Sequence, residues 1–178
     1  VKVLSEGGLV AFPTETVYGL GADAESVDAV NSIYRAKGRP QNHPVIVHVA
    51  PEADLAYWAD TVPLQAQLLI DAFWPGPLTL ILKRAARIPD VVSGGQDSVG
   101  LRCPSHPVAQ RLIRAFAATK VSGQGGIAGP SANKFGRVSP TLVAHVRDEF
   151  PELTAQGRYW KAGRAPWELS RPLSICLD

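Results

Sequence analysis

The chain has 178 residues, 46% of them apolar and 19% charged, which excludes wholesale disorder. A chain of this length suits one domain that buries roughly 70% of its unfolded surface. The net charge of +2 neither demands nor excludes a nucleic-acid partner, and an aromatic content of 7% offers few stacking groups.

Val1–Gly8 reads as the last turns of a helix stopped by glycine, and the chain has no methionine, so the opening helix is expected to start before Val1. No basic segment precedes an apolar stretch there, so no signal peptide is expected. Leu9–Phe12, closed by Pro13, is consistent with a buried strand. Val27, Val30, Ile33 and Tyr34 recur at helical spacing, with Gly38 as the stop. Val45–Val49 is β-branched, bounded by prolines, and predicts a strand. A helix over Leu64–Phe73 ends at Trp74-Pro75-Gly76-Pro77, and strands are expected at Leu78–Leu82 and Val99–Arg102. These apolar runs fall far short of the ~20 residues a spanning helix needs, so no membrane is expected. His106–Phe116 has an apolar face at Val108, Leu112, Ile113 and Phe116 and predicts a helix. Gly123–Pro130 reads as a glycine-rich loop and Thr141–Phe150 as a final amphipathic helix. Strands alternate with helices, but some connections are too short for a helical crossover. The expectation is an α/β (α+β) fold with a mixed parallel/antiparallel sheet, as a single domain over residues 1–178. Cys103 and Cys176 form neither a metal-ligand spacing nor a disulfide framework, which predicts a cytoplasmic protein.

Two segments carry the most chemistry. In Lys37-Gly38-Arg39-Pro40 two cations stand where a helix ends. They either offset the helix dipole, or they hold phosphate or carbonate, with Arg39 as a bidentate fork and Lys37 as a point charge. In Gly125–Asn133 small residues let a ligand approach the backbone, and successive N–H groups can cradle an anion. Ser131 and Asn133 there either orient ligand oxygens or cap a helix. His48, inside an apolar strand, is read as a core residue or a ligand contact. Arg102 is read as a surface ion-pair partner or a contact, and Asp97-Ser98 as a turn. His43, His106 and His145 show no metal spacing. No nucleophile–base pair, P-loop or dinucleotide fingerprint is present, so catalysis by positioning and electrostatics is expected.

In order, Phe12-Pro13-Thr14-Glu15-Thr16-Val17-Tyr18-Gly19-Leu20, the Lys37–Pro40 block with Pro44 and His48, Trp74–Thr79, Leu101–Pro107 and Gly129–Asn133 followed by Ser139-Pro140-Thr141 resemble the YrdC-like family. The resemblance implies a twisted mixed sheet flanked by helices with a deep concave site. It implies a threonylcarbamoyl-AMP synthase, which makes threonylcarbamoyl-adenylate and pyrophosphate from L-threonine, bicarbonate and ATP. Partner proteins would use the product to modify tRNA. It implies that Lys37, Arg39, Ser131 and Asn133 hold ATP and carbonate, that Thr16, His48, Arg102 and Gly129 hold threonine, and that His43, Ser98 and Ser139 touch the nucleotide. Mg²⁺ on the phosphates is expected. The alternatives are a double-stranded RNA or tRNA binding module of the same fold, which predicts a basic stripe with stacking aromatics, and a carbamoyl-transfer domain.

After Phe150 the likeness stops. The family continues with a pattern like G-G-P-x-x-V-G-x-E-S-T-I-V-D, which ends in a strand, and Gly157–Asp178 does not. Trp167-Glu168 is encoded TGG-GAR, so the next frame carries glycine at their junction. Fitting codons in that frame continue as G-P-V-L-E-G-G-P-R-P-V-G-V-E-S-T-I-V-D-L-S. A reading-frame slip between about Phe150 and Gly157 is therefore expected. As written, the tail is expected to lack the last strand, to give Tyr159, Trp160 and Trp167 no core positions, and to interrupt any strand pattern with Arg158, Lys161, Arg164 and Arg171.

Overall fold

The computed structural model describes residues 1–155 and 173–176. A short helix, α1 (Lys2–Ser5), precedes the hairpin strands β1 (Val10–Pro13) and β2 (Tyr18–Asp23). Helix α2 (Val27–Lys37) leads to β3 (Ile46–His48), the short α3 (Leu55–Trp58) and α4 (Leu64–Phe73). Strand β4 (Leu78–Lys83), α5 (Asp90–Ser93), β5 (Ser98–Arg102) and α6 (Pro107–Ala117) follow. The described chain ends with β6 (Ile127–Ala128), α7 (Val143–Glu149), α8 (Pro151–Ala155) and β7 (Leu173–Cys176).

The seven strands form one sheet in the order β1-β2-β6-β3-β5-β4-β7. The β3–β5 and β4–β7 pairs are parallel and the other pairs antiparallel, so the mixed sheet predicted from connection lengths is present. Alternation along the strands gives the sheet two different faces. One face sends Leu20, Val47, Leu80, Leu101 and Ala128 into the larger core, with Ile33 of α2 and the fully buried Trp58. The other face presents Phe12 and Ile127 to Leu112, Ile113 and Phe116 of α6. On that second face, beyond the cover of α6, lie His48 and Arg102.

Helix boundaries follow local chemistry. Ser26 caps α2 by accepting from the Ala29 N–H at 3.3 Å, and Gly38 closes it in the left-handed region at φ 63°. That conformation suits glycine, and it turns the chain so that Arg39 leaves the helix axis. The short helices α3, α5 and α8 and three strands are absent from the sequence reading. The turn after Pro13 leads into β2, whose two glycines mask its strand character although all six residues are buried. The segment read as a loop, Gly123–Pro130, contains β6, two residues bridging β2 and β3 through pairings that no local pattern announces. The expectation that the tail as written lacks a last strand is corrected: Leu173–Cys176 pairs in parallel with β4. Its alternation sends Ile175 against the core and leaves Ser174 and Cys176 exposed, which is enough for an edge strand. Residues 156–172, with Tyr159, Trp160, Trp167 and the four cations Arg158, Lys161, Arg164 and Arg171, lie outside the described residues.

Candidate functional site

Three loops converge on the open part of the second face. The β1–β2 turn is shaped by Thr14, whose hydroxyl donates to the Val17 carbonyl at 2.6 Å and accepts the N–H groups of Thr16 and Val17 at 3.2 Å. This holds Glu15 and Thr16 against Arg102 at the end of β5. The Gly129–Asn133 loop is clipped to β2, with Leu20 N–H donating to Pro130 O at 2.8 Å and Ala132 N–H to Tyr18 O at 2.7 Å. It is also tied to the end of α2. The Lys37 ammonium donates to the backbone carbonyls of Ser131, at 2.5 Å, and Asn133. Between these loops, Tyr34 donates to the carbonyls of His43 at 3.0 Å and Val91 at 2.8 Å, fixing the turn that carries Arg39.

The result is a cavity of about 350 Å³ lined by Thr16, Arg39, His48, Arg102, Gly129, Ser131 and Ser139, with Thr14, Val17, Gly19, Pro44, Val45, Ile46 and Pro130. Seven of the eleven site residues read from the sequence therefore meet in one place. Lys37 and Asn133 stand behind the wall. Lys37 is buried, and Asn133 donates its amide to the carbonyls of Lys134 and Arg137 at 2.8 and 2.9 Å while its Oδ1 is buried without a partner. His43 packs edge-on against Phe135, with ring centres 5.3 Å apart, beside Arg39. Ser98 is not brought in. It starts β5, four residues from Arg102, and opens on a separate depression with Lys83, Asp97 and Cys176.

Electrostatics divide the cavity. At one end, Arg39 donates to the carbonyls of His43 at 3.3 Å and Pro44 at 3.0 Å. Burial, and then the neighbouring Arg39 charge, push the Lys37 pKa down to about 8. At the other end, Arg102 donates to Thr16 Oγ1 at 3.1 Å and pairs with the Glu15 carboxylate, while its buried Nε has no partner. The sequence reading missed Glu15 and Thr14. The available signal was that Glu15 is the one carboxylate in the Phe12–Leu20 block.

His48 Nδ1 is buried without a partner, its ring set edge-on to Phe12 at 5.4 Å. A Cβ at Gly129 would stand 3.2 Å from that nitrogen, so glycine there leaves the imidazole its space. Burial, reinforced by Arg102, lowers the His48 pKa to about 3, and a backbone hydrogen bond to Ile127 opposes the shift. The imidazole is neutral at pH 7. An unfolded histidine titrates near 6.5, so the unfolded chain takes up a proton that the folded chain refuses as pH falls below that value. The stability linked to His48 is thus complete above about pH 6.5 and lost toward pH 3, at about 1.4 kcal/mol per pH unit. Urea unfolding between pH 7 and 4 is expected to show His48→Asn with a shallower acid loss than the wild type.

The sequence profile of the Sua5/YciO/YrdC family, described as telomere recombination, matches residues 2–156. Threonylcarbamoyl-AMP synthase of Pyrococcus abyssi is 46% identical over 83% of this chain and 41% of its own length. The Bacillus subtilis protein of the same name is 46% identical over 81% of this chain and 40% of its own. The chain thus spans less than half the length of these curated relatives. The crystal structure of P. abyssi Sua5 complexed with L-threonine superposes with a TM-score of 0.87 at 40% identity, covering 99% of this chain and 49% of that one. On the profile match and these identities, the chain belongs to the Sua5/YciO/YrdC family.

Proposed function

We propose that this chain is a threonylcarbamoyl-AMP synthase domain, making threonylcarbamoyl-adenylate and pyrophosphate from L-threonine, bicarbonate and ATP. The observation that carries the reading is one cavity joining two differently charged ends: Arg39 backed by Lys37, and Arg102 with Thr16 and a neutral His48. The first end suits phosphate and carbonate, the second an amino acid. The relatives' name and the threonine bound to P. abyssi Sua5 support the same assignment.

In this reading the threonine carboxylate takes the guanidinium of Arg102, and Thr16 and His48 meet its polar groups beside Gly129. The amine attacks bicarbonate to give the carbamate and water. A carbamate oxygen then attacks the α-phosphorus of ATP. The bond to the bridging oxygen breaks, and pyrophosphate leaves with the electron pair. Arg39 forks across phosphate oxygens, and Lys37 adds a buried charge that also fixes the carbonyls of Ser131 and Asn133. Ser131 and Ser139 face the nucleotide from the wall, and His43 stands at the rim with Phe135. Ser98 does not line this cavity. Holding three reactants in one geometry is the main source of rate, as expected where no covalent nucleophile is present.

Among the described residues no Asp or Glu lines the cavity, and no cluster of three metal-ligating side chains occurs. Magnesium is expected on the phosphates, as the Mg-ATP substrate. The adenylate is a reactive acyl phosphate, suited to transfer by tRNA-modifying partner proteins in the cytoplasm. No described helix is long and apolar enough to cross a membrane.

Pyrophosphate release from ATP is the test. Release is expected to require both L-threonine and bicarbonate. Release that is indifferent to threonine would overturn the reading.

A further inference from the structure

We infer that Glu15 sets ligand charge selectivity: by neutralising Arg102, it makes that end of the cavity accept a zwitterionic amino acid and refuse a simple anion. This rests on the reading of Arg102 as the amino-acid carboxylate site.

Glu15 does not line the cavity. It lies behind Arg102, with one carboxylate oxygen on the guanidinium and the other accepting the Ser105 N–H at 3.0 Å. The pair is sheltered, the side chains being 4% and 13% exposed, so solvent screens it little. The Thr14-shaped turn holds Glu15 in place, and the cost of moving it is a buried, unpaired guanidinium. Arg102 lines the cavity while its charge is already balanced, and its buried Nε–H has no partner in the protein. Arg102 can therefore give a carboxylate directional hydrogen bonds without a net attractive charge.

An incoming carboxylate makes the Arg102 end net negative. A ligand that brings its own ammonium restores neutrality, whereas phosphate, bicarbonate or a hydroxy acid does not. Among the described residues neither Arg39 nor Lys37 makes an ion pair: both bond to backbone carbonyls, and Glu149 acts on Lys37 only from a distance. Anions are thus steered to the Arg39 end and the amino acid to the Arg102 end. A unit charge roughly 5–7 Å away, at the effective dielectric of a partly buried site, changes anion affinity by about tenfold or more.

The test compares L-threonine with (R)-3-hydroxybutyrate, the same molecule without its amine, by calorimetric titration and by competition. On the wild type, hydroxybutyrate is expected to bind at least about tenfold more weakly than threonine. In Glu15→Gln, which keeps the shape and an acceptor for Ser105, the ratio should narrow by about tenfold. Glu15→Asp, which keeps the charge, should retain the discrimination. Affinity for a non-hydrolysable ATP analogue should stay constant throughout, a result that loss of structure would not give. Threonine binding with an unchanged ratio in Glu15→Gln would overturn this inference alone. Failure of the wild type to bind threonine would overturn the parent reading and this one with it. Should Glu15→Gln not fold, the wild type decides: displacement of threonine by equimolar hydroxybutyrate would overturn the inference, and its failure at tenfold excess would support it.

Discussion

Arg102→Ala is expected to weaken L-threonine binding about tenfold to hundredfold, because it removes a charge-assisted hydrogen-bond donor worth roughly 1.5–3 kcal/mol to a carboxylate. Affinity for ATP should change by no more than about twofold, since Arg39 and Lys37 at the other end are untouched. The same substitution strands the Glu15 carboxylate, whose side chain is 13% exposed. Breaking a buried pair from one side costs about 3–5 kcal/mol, so the melting temperature should fall as well. The two effects separate in one experiment: titrate threonine and a non-hydrolysable ATP analogue into the same preparation below its melting transition. Equal losses for both ligands would count against Arg102 as the threonine contact.

What the sequence made legible follows from range. Elements whose signal lies within one segment were found close to their true bounds. Helix α2 shows four apolar residues at helical spacing and a glycine stop, and α4 was bounded to the residue at Leu64–Phe73. Strands β4 and β5 carry short, largely apolar runs. Strand β6 was missed because two residues hold no period, and its existence depends on β2 and β3 arriving on either side. Strand β7 escapes a reading of the sequence because its parallel pairing with β4 is announced by nothing within its four residues.

The candidate site shows the same division. Arg39, Arg102 and Ser131 could be singled out by residue type, yet nothing local says that a turn 86 residues upstream of Arg102 supplies Thr16 as its partner. Glu15 was passed over for the same reason. Its significance lies wholly in a pair closed across 87 residues. Lys37 was expected to face the ligand, but the Gly38 turn sends its neighbour Arg39 to the cavity and leaves Lys37 beneath it, bonded to the loop it braces.

That burial of Lys37 produces the last prediction. Its pKa lies at about 8 in the empty fold, against 10.5 in an open chain, with desolvation the leading cause. Below pH 8 the ammonium is charged in both folded and unfolded chains, and the fold carries the full penalty of burying it, about 3 kcal/mol. Between pH 8 and 10.5 the folded chain releases the proton that the unfolded chain keeps, so the ligand-free protein should gain stability from pH 8 to about 9, above which the buried Cys103 thiol, pushed up to about 12 by desolvation, opposes the trend. Phosphate binding has the opposite requirement. An anion at Arg39 favours the charged ammonium and must reload it, so affinity for a non-hydrolysable ATP analogue should fall by up to about tenfold per pH unit above pH 8. Stability and nucleotide affinity thus move in opposite directions between pH 8 and 9, a pairing that general alkaline damage does not produce. Lys37→Met should bind the analogue weakly and with a flattened pH dependence, and should lose the alkaline gain in stability. Urea unfolding and analogue titration at pH 7, 8, 9 and 10 read both quantities. Parallel losses of stability and affinity in the wild type between pH 8 and 9, or an unchanged slope over that interval in Lys37→Met, would refute the assignment to Lys37.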